Sequence, residues 1–240
     1  MSNNTFLINF DLDNTIAGYT DPIYPQALEK IKALSTAGHI VTINSGKPIF
    51  YLVGLCRQAN LQDIWLIGES GAEICHGIAL PLDMPFKNLV KEESKLYLQT
   101  LREEIRQTFG NRIWFEPTVI ALSVFFDNDQ TQSELMEFFN RNKSKFEKYN
   151  INVFPMVDCF DLMPDNIDKS TGIRTLQKHF SIADSNTIAI GDSWNDIPMF
   201  DYCQHSIVID FSEYQSQKDI HHVANIDEAL QKLDEIIQKG

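Results

Sequence analysis

Basic side chains are scarce in this chain: 20 Lys and Arg stand against 33 Asp and Glu, for a formal net charge of -13 over 240 residues. No run of Lys and Arg forms a stripe, so a phosphate backbone or an anionic membrane surface would be repelled. Neither nucleic acid nor membrane is expected as a partner. Cysteine is sparse as well, with 4 in the chain. Cys56, Cys75, Cys159 and Cys203 lie far apart and form no Cys-x-x-Cys pair, which argues against a disulfide framework or a zinc ribbon. They read as buried thiols of a reducing compartment, and a cytoplasmic location is expected. No apolar run approaches the roughly 18 residues of a membrane span. The opening MSNNTF lacks a basic segment leading into an apolar one, so no secretory leader is expected either.

Apolar residues are plentiful, at 43% of the chain, enough to bury a sizeable core. The apolar run 6–10 reads as a strand. After a polar turn, Ala27, Leu28, Ile31 and Leu34 recur at helical spacing over 25–37, and Gly38 stops that helix. Residues 39–44 then read as a strand, 49–59 as a helix and 64–67 as a third buried strand. The alternation resumes with a helix over 171–180, a strand over 187–190, a helix over 196–203 and a strand over 206–209. A last helix, capped by Asp227, runs to 238. Strands alternating with helices predict an α/β core, a Rossmann-like parallel sheet with helices on both faces.

Between these halves the texture changes. Two long amphipathic stretches, 87–108 and 132–146, flank the strand-like 113–126, and 151–157 follows as another strand. This pattern predicts an α+β module over 82–160 inserted into a core of 1–81 and 161–240. Residues 83–159 hold 10 of the 20 basic residues but only 12 of the 33 acidic ones. Solvated helix faces account for most of these. Lys87, Lys91, Arg112 and Arg141, with the strand 118–126, are where contacts to an anionic substrate are expected.

Parallel strands joined by right-handed crossovers bring their carboxyl ends to one edge of the sheet, where ligands bind. At the expected strand ends stand Asp11, Asp13, Ser45, Asp192 and Asp196, with Lys169 just before a helix. Four converging carboxylates cannot all stay ionised without a cation, and oxygen-only ligands suit Mg2+. Such a site is equipped for phosphoryl transfer, with a carboxylate as nucleophile. Asp11 and Asp13, two residues apart, can lie on one side, one facing phosphorus and the other the leaving oxygen.

On these residues the chain resembles the haloacid dehalogenase superfamily along its whole length. Four motifs stand in the family's order: Phe10-Asp11-Leu12-Asp13-Asn14-Thr15, Ser45-Gly46-Lys47, Lys169, and Gly191-Asp192-Ser193-Trp194-Asn195-Asp196. The resemblance implies a phosphatase in which Asp11 attacks phosphorus and Asp13 serves as general acid and base. It implies that Asp11, Asp192 and the Asp13 carbonyl bind Mg2+, with Asp196 supporting the metal and Asn195 beside it. Ser45, Gly46 and Lys169 would hold the phosphoryl group. An insert placed between the second and third motifs is similar to the type IIB caps of Cof-like, sugar-phosphate phosphatase-like members, where a cap closes over the sheet edge. Lys47 stands where the family more often has Arg, and Ser70-Gly71 replaces a more usual Asn-Gly.

The expected reaction is hydrolysis of a small phosphorylated metabolite, a sugar phosphate or similar, through an aspartyl-phosphate. A phosphomutase acting on sugar phosphates and a catalytically idle phosphometabolite-binding protein remain as alternatives. The chain is expected to act as a monomer or homodimer. His221 and His222 read as neighbours in a polar loop, and Trp65 and Trp114 as packing residues.

Overall fold

The computed structural model describes residues 5–79, 89–156, 158–215 and 218–239. These divide into two compact units, one of residues 1–87 with 168–240 and one of residues 88–167.

The larger unit is built on a seven-stranded sheet in the order β11-β10-β9-β1-β2-β3-β4. Its strands are β1 (Leu7–Phe10), β2 (Ile40–Asn44), β3 (Trp65–Gly68), β4 (Glu73–His76), β9 (Thr187–Gly191), β10 (His205–Ile209) and β11 (Asp219–Val223). All neighbours pair in parallel except β3 and β4. Strand β1 is central and buried on both faces, which is why its four residues form an unbroken buried run.

Alternate side chains serve the two faces. Ile8, Phe10, Val41, Ile43, Ile188 and Ile190 form one core with helices α1 (Pro25–Thr36), α2 (Ile49–Gln58) and α8 (Ile226–Lys239). The residues between them include Asn9, Thr42 and Asn44, all without solvent exposure. Thr42 Oγ1 donates to Asn9 Oδ1 at 2.8 Å, and Asn9 Nδ2 donates to the Ile188 carbonyl at 3.0 Å, so Asn9 and Thr42 are polar yet bonded. Helices α6 (Lys169–Phe180) and α7 (Ile197–Tyr202) complete the unit.

The smaller unit is an antiparallel sheet in the order β5-β6-β8-β7 with three helices. Its elements are α3 (Glu92–Phe109), β5 (Ile113–Phe115), β6 (Leu122–Phe126), α4 (Asp129–Arg141), α5 (Lys143–Tyr149), β7 (Ile151–Pro155) and β8 (Cys159–Pro164). Leu98, Leu101 and Ile105 of α3 share a core with Leu122, Val124, Leu135, Phe139, Phe160 and Leu162.

Several sequence expectations change. The stretch 113–126 is two strands joined by a turn, in which Thr118 Oγ1 donates to the Ala121 carbonyl at 2.6 Å. Asn142 ends α4 and separates it from α5, dividing the expected helix 132–146. Helix α8 begins one residue before Asp227, and Asn225 Oδ1 caps it by accepting from the Glu228 amide at 3.1 Å. His221 and His222 lie on edge strand β11, not in a loop. Trp114 is 53% exposed and stacks on Phe125 with ring centroids 5.7 Å apart. All four cysteines are free and buried. Among the described residues no helix is long and apolar enough to cross a membrane.

Candidate active site

Register levels the carboxyl ends of the three central strands. Phe10 lies opposite Ile43 on one side and Ile190 on the other. The next residues out, Asp11, Asn44-Ser45 and Gly191-Asp192, therefore emerge at one edge, and the Asp11 amide donates to the Ile190 carbonyl at 2.9 Å. A tight turn follows β1. The Leu12 carbonyl accepts from the amides of Thr15, Ile16 and Ala17 at 3.3, 3.1 and 3.0 Å, with Asn14 in the left-handed region at φ 60°.

Acidic oxygens of Asp11, Asp192 and Asp196 lie within 4.8 Å of one another. Asp196 gives both of its oxygens to protein donors. Its Oδ2 accepts from the amides of Asp192 and Ser193 at 3.0 and 3.1 Å, and its Oδ1 from Lys169 at 2.5 Å. Gly191 makes that possible, since a Cβ there would fall 2.5 Å from Asp196 Oδ2. Asp11 accepts from Lys169 through one oxygen, and Asp192 accepts from Thr15 Oγ1 at 3.2 Å.

Lys169 is the first residue of α6, two positions earlier than the sequence periodicity places the helix start. Asp168 caps that end: its Oδ1 accepts from the Ser170 amide at 2.7 Å, while its amide donates to Thr171 Oγ1 at 3.1 Å. The lysine is 1% exposed, and its ammonium donates to Asp11, Asp196 and, at 3.3 Å, Asn195 Oδ1.

Charge and burial act together here. Burial pushes the Asp11 carboxyl up to about 7, with Lys169 opposing and Asp196 adding to the rise. Burial and the Asp196 charge raise Asp192 to about 6. For Lys169 burial acts downward, but the flanking carboxylates Asp11 and Asp196 outweigh it and hold the ammonium charged above its usual range. One lysine thus balances three carboxylates, and the group remains short of positive charge. Closely set hard oxygens with a charge deficit suit a divalent cation such as Mg2+, with Asp11 and Asp192 holding the less committed oxygens.

The Asp13 carboxylate is not part of the three-acid group. Asp13 is partly buried and lines a small pocket of about 90 Å³ with Tyr19, Asp21 and Tyr51. A larger cavity of about 570 Å³ opens beside Asp192, lined also by Asn14, Thr15, Asp210 and Asn225. Ser45 is buried, and its Oγ accepts from the Lys47 amide at 3.1 Å. A Cβ on Gly46 would meet only Ser70 Oγ, at an ordinary 3.5 Å. Of the basic residues singled out in the insert, Lys87 lies outside the described residues. Arg112 pairs with Glu134 at 2.7 Å and covers the Phe109 ring, and Arg141 donates to the Glu137 carbonyl of its own helix. Lys91 is exposed at the start of α3. No role could be assigned from the sequence to Thr15, Asn44, Gly71 or Gly191, because each acts through a contact that only the folded backbone makes.

A seven-stranded, largely parallel sheet with carboxylates and a buried lysine at its carboxyl edge defines a class of hydrolase. The family profile for haloacid dehalogenase-like hydrolases matches residues 8–104 and 102–229, and the chain belongs to that family. It is a hydrolase of the phosphoric-monoester class. A phosphoglycolate phosphatase of Nitrosopumilus maritimus is 26% identical over the whole of both chains. Another from Thermoplasma volcanium is 26% identical, covering 81% of this chain and 80% of its own. Among solved structures, a haloacid dehalogenase-like hydrolase from Bacteroides thetaiotaomicron superposes with a TM-score of 0.75 at 17% identity, covering 95% of this chain and 99% of that one. Trehalose-6-phosphate phosphatase of Aspergillus fumigatus gives a TM-score of 0.66 at 14% identity, over 98% and 93%.

Proposed function

We propose that this enzyme is a Mg2+-dependent phosphatase that removes the phosphoryl group from a small metabolite through a phosphorylated Asp11. The observation that carries the reading is the meeting of Asp11, Asp192 and Asp196 oxygens within 4.8 Å beside the buried Lys169 ammonium. Bound Mg2+ would be held by Asp11, Asp192 and the Asp13 carbonyl, with Asp196 behind them, and would neutralise charge on the phosphoryl oxygens.

In the first step an Asp11 oxygen forms a bond to phosphorus while the bond from phosphorus to the leaving oxygen breaks. Asp13 gives that oxygen its proton. In the second step Asp13 takes a proton from water, the water oxygen attacks phosphorus, and the bond to Asp11 breaks. Inorganic phosphate leaves and the Asp11 carboxylate is restored. Ser45, the Gly46 amide and Lys169 hold the phosphoryl oxygens throughout. Asn195, which accepts from Lys169, helps keep the ammonium aimed at them.

We assign choice of the leaving group to the inserted unit acting as a cap. Phosphoglycolate, for which four relatives are named, and sugar phosphates head the substrates to be tried. The test is phosphate release from a panel of phosphorylated metabolites with Mg2+, beside an Asp11→Asn blank. Release of inorganic phosphate that the blank lacks supports the reading. Isomerisation of a sugar phosphate without net release would replace hydrolysis with mutase chemistry, and silence across the panel would leave a binding protein.

A further inference from the structure

Asn44 ends β2, next to Ser45, with no solvent exposure. Its Nδ2 donates to the Lys169 carbonyl at 2.7 Å across 125 residues of sequence. That bond fixes which way the amide faces, since only the NH2 group can donate to a carbonyl. Its Oδ1 is buried and has no hydrogen-bond partner among the described residues. An unmet buried acceptor is costly, so packing alone gives no reason for an amide here; a leucine of similar size would fill the space without that cost.

The backbone around the same helix end is equally constrained. Gly71 adopts φ +104°, and a Cβ there would lie 2.0 Å from the Asp168 carbonyl oxygen. One turn into α6, a Cβ on Gly172 would lie 2.5 Å from Ile67 of β3. The first turn of α6 is therefore pressed onto β3 and the 69–71 turn, and tied to β2 by Asn44. What this clamp holds is the residue whose ammonium sits between Asp11 and Asp196.

We propose that Asn44 is a positioning residue for Lys169: by holding the lysine's main chain, it sets where the ammonium stands against Asp11 and the phosphoryl group. The inference rests on the phosphatase reading above. Asn44 touches neither substrate nor metal ligand in this role. Its loss lets the helix end shift by fractions of an ångström, and misplacement of that order costs turnover steeply.

The test is a double-mutant cycle of Asn44→Leu and Lys169→Ala, read as kcat/KM for p-nitrophenyl phosphate with Mg2+, alongside urea unfolding and Mg2+ binding by calorimetry. Asn44→Leu is expected to unfold at the same or higher urea and to bind Mg2+ within about twofold of the unsubstituted protein. It is expected to lose about 10- to 100-fold in kcat/KM, as supporting residues typically do. In the Lys169→Ala background the same change is expected to cost less than about twofold, because there is no ammonium left to position. Unchanged kcat/KM in Asn44→Leu, or an undiminished loss in the Lys169→Ala background, would overturn the proposal. Failure of both Asn44→Leu and Asn44→Ala to fold would do so too, by making the residue a structural one. Full activity of Lys169→Ala would instead undo the phosphatase reading itself.

Discussion

Lys169 Nζ lies 2.5 Å from Asp11 Oδ1, with both side chains almost wholly shut off from solvent. The two residues are 158 positions apart, so only the folded chain brings them together. Removing the lysine leaves Asp11 and Asp196 as buried like charges. Lys169→Met should cost about 3–5 kcal/mol of stability at pH 8 without metal, the usual penalty for breaking a buried pair. Urea unfolding checks this, and the loss should shrink at pH 5, where the Asp11 carboxyl, raised to about 7 by burial, can take up a proton instead.

The raised carboxyls give stability a definite pH dependence. Asp11 and Asp192 shift from 3.8 to about 7 and about 6 on folding. Between about pH 4 and 7 the metal-free native state therefore holds more protons than the unfolded chain, and its stability falls as pH rises. Mg2+ would bind the deprotonated form, so its stabilising effect should grow over the same interval. At 100 times its Kd, Mg2+ should add about 2.7 kcal/mol at pH 8 and clearly less at pH 5. Thermal melts with and without Mg2+ at the two pH values measure the difference. An Mg2+ effect equal at both would contradict the assignment of these carboxyls to the metal.

Gly191 carries no functional group, yet substitution there should be felt at the metal. A Cβ would meet Asp196 Oδ2 at 2.5 Å and drive it from the amides of Asp192 and Ser193. Gly191→Ala should weaken Mg2+ binding about 10- to 100-fold, the scale found when groups behind metal ligands are removed. Calorimetric titration of the variant tests this directly.

Much of the core could be read from the chain because strong local patterns survive folding there. The central strands are short, mostly apolar and buried, and α1 shows its buried stripe at 27, 31 and 34. What escaped detection lacks such a pattern. Strand β11 reads Asp-Ile-His-His-Val, a polar edge sequence, and β4 is a four-residue strand whose antiparallel pairing is a tertiary choice. At the site, Asp11, Asp192 and Lys169 were legible because strand ends and motif order point to them. Asn44 was not, since its amide meets a carbonyl 125 residues away, and Thr15 and Gly191 stand in the motifs without showing there the contacts that a hydroxyl and a missing Cβ make with Asp192 and Asp196.

In the proposed reaction an oxygen of Asp11 becomes bonded to phosphorus during turnover. Acid quenching of the Mg2+-loaded enzyme in the first turnovers of a hydrolysed ester, followed by peptic digestion and mass spectrometry, measures it. One added phosphoryl group is expected on the peptide carrying Asp11, and none in Asp11→Asn, which should release no phosphate. Phosphate release by Asp11→Asn at the unsubstituted enzyme's rate, or a phosphoryl group found on a different residue, would contradict it.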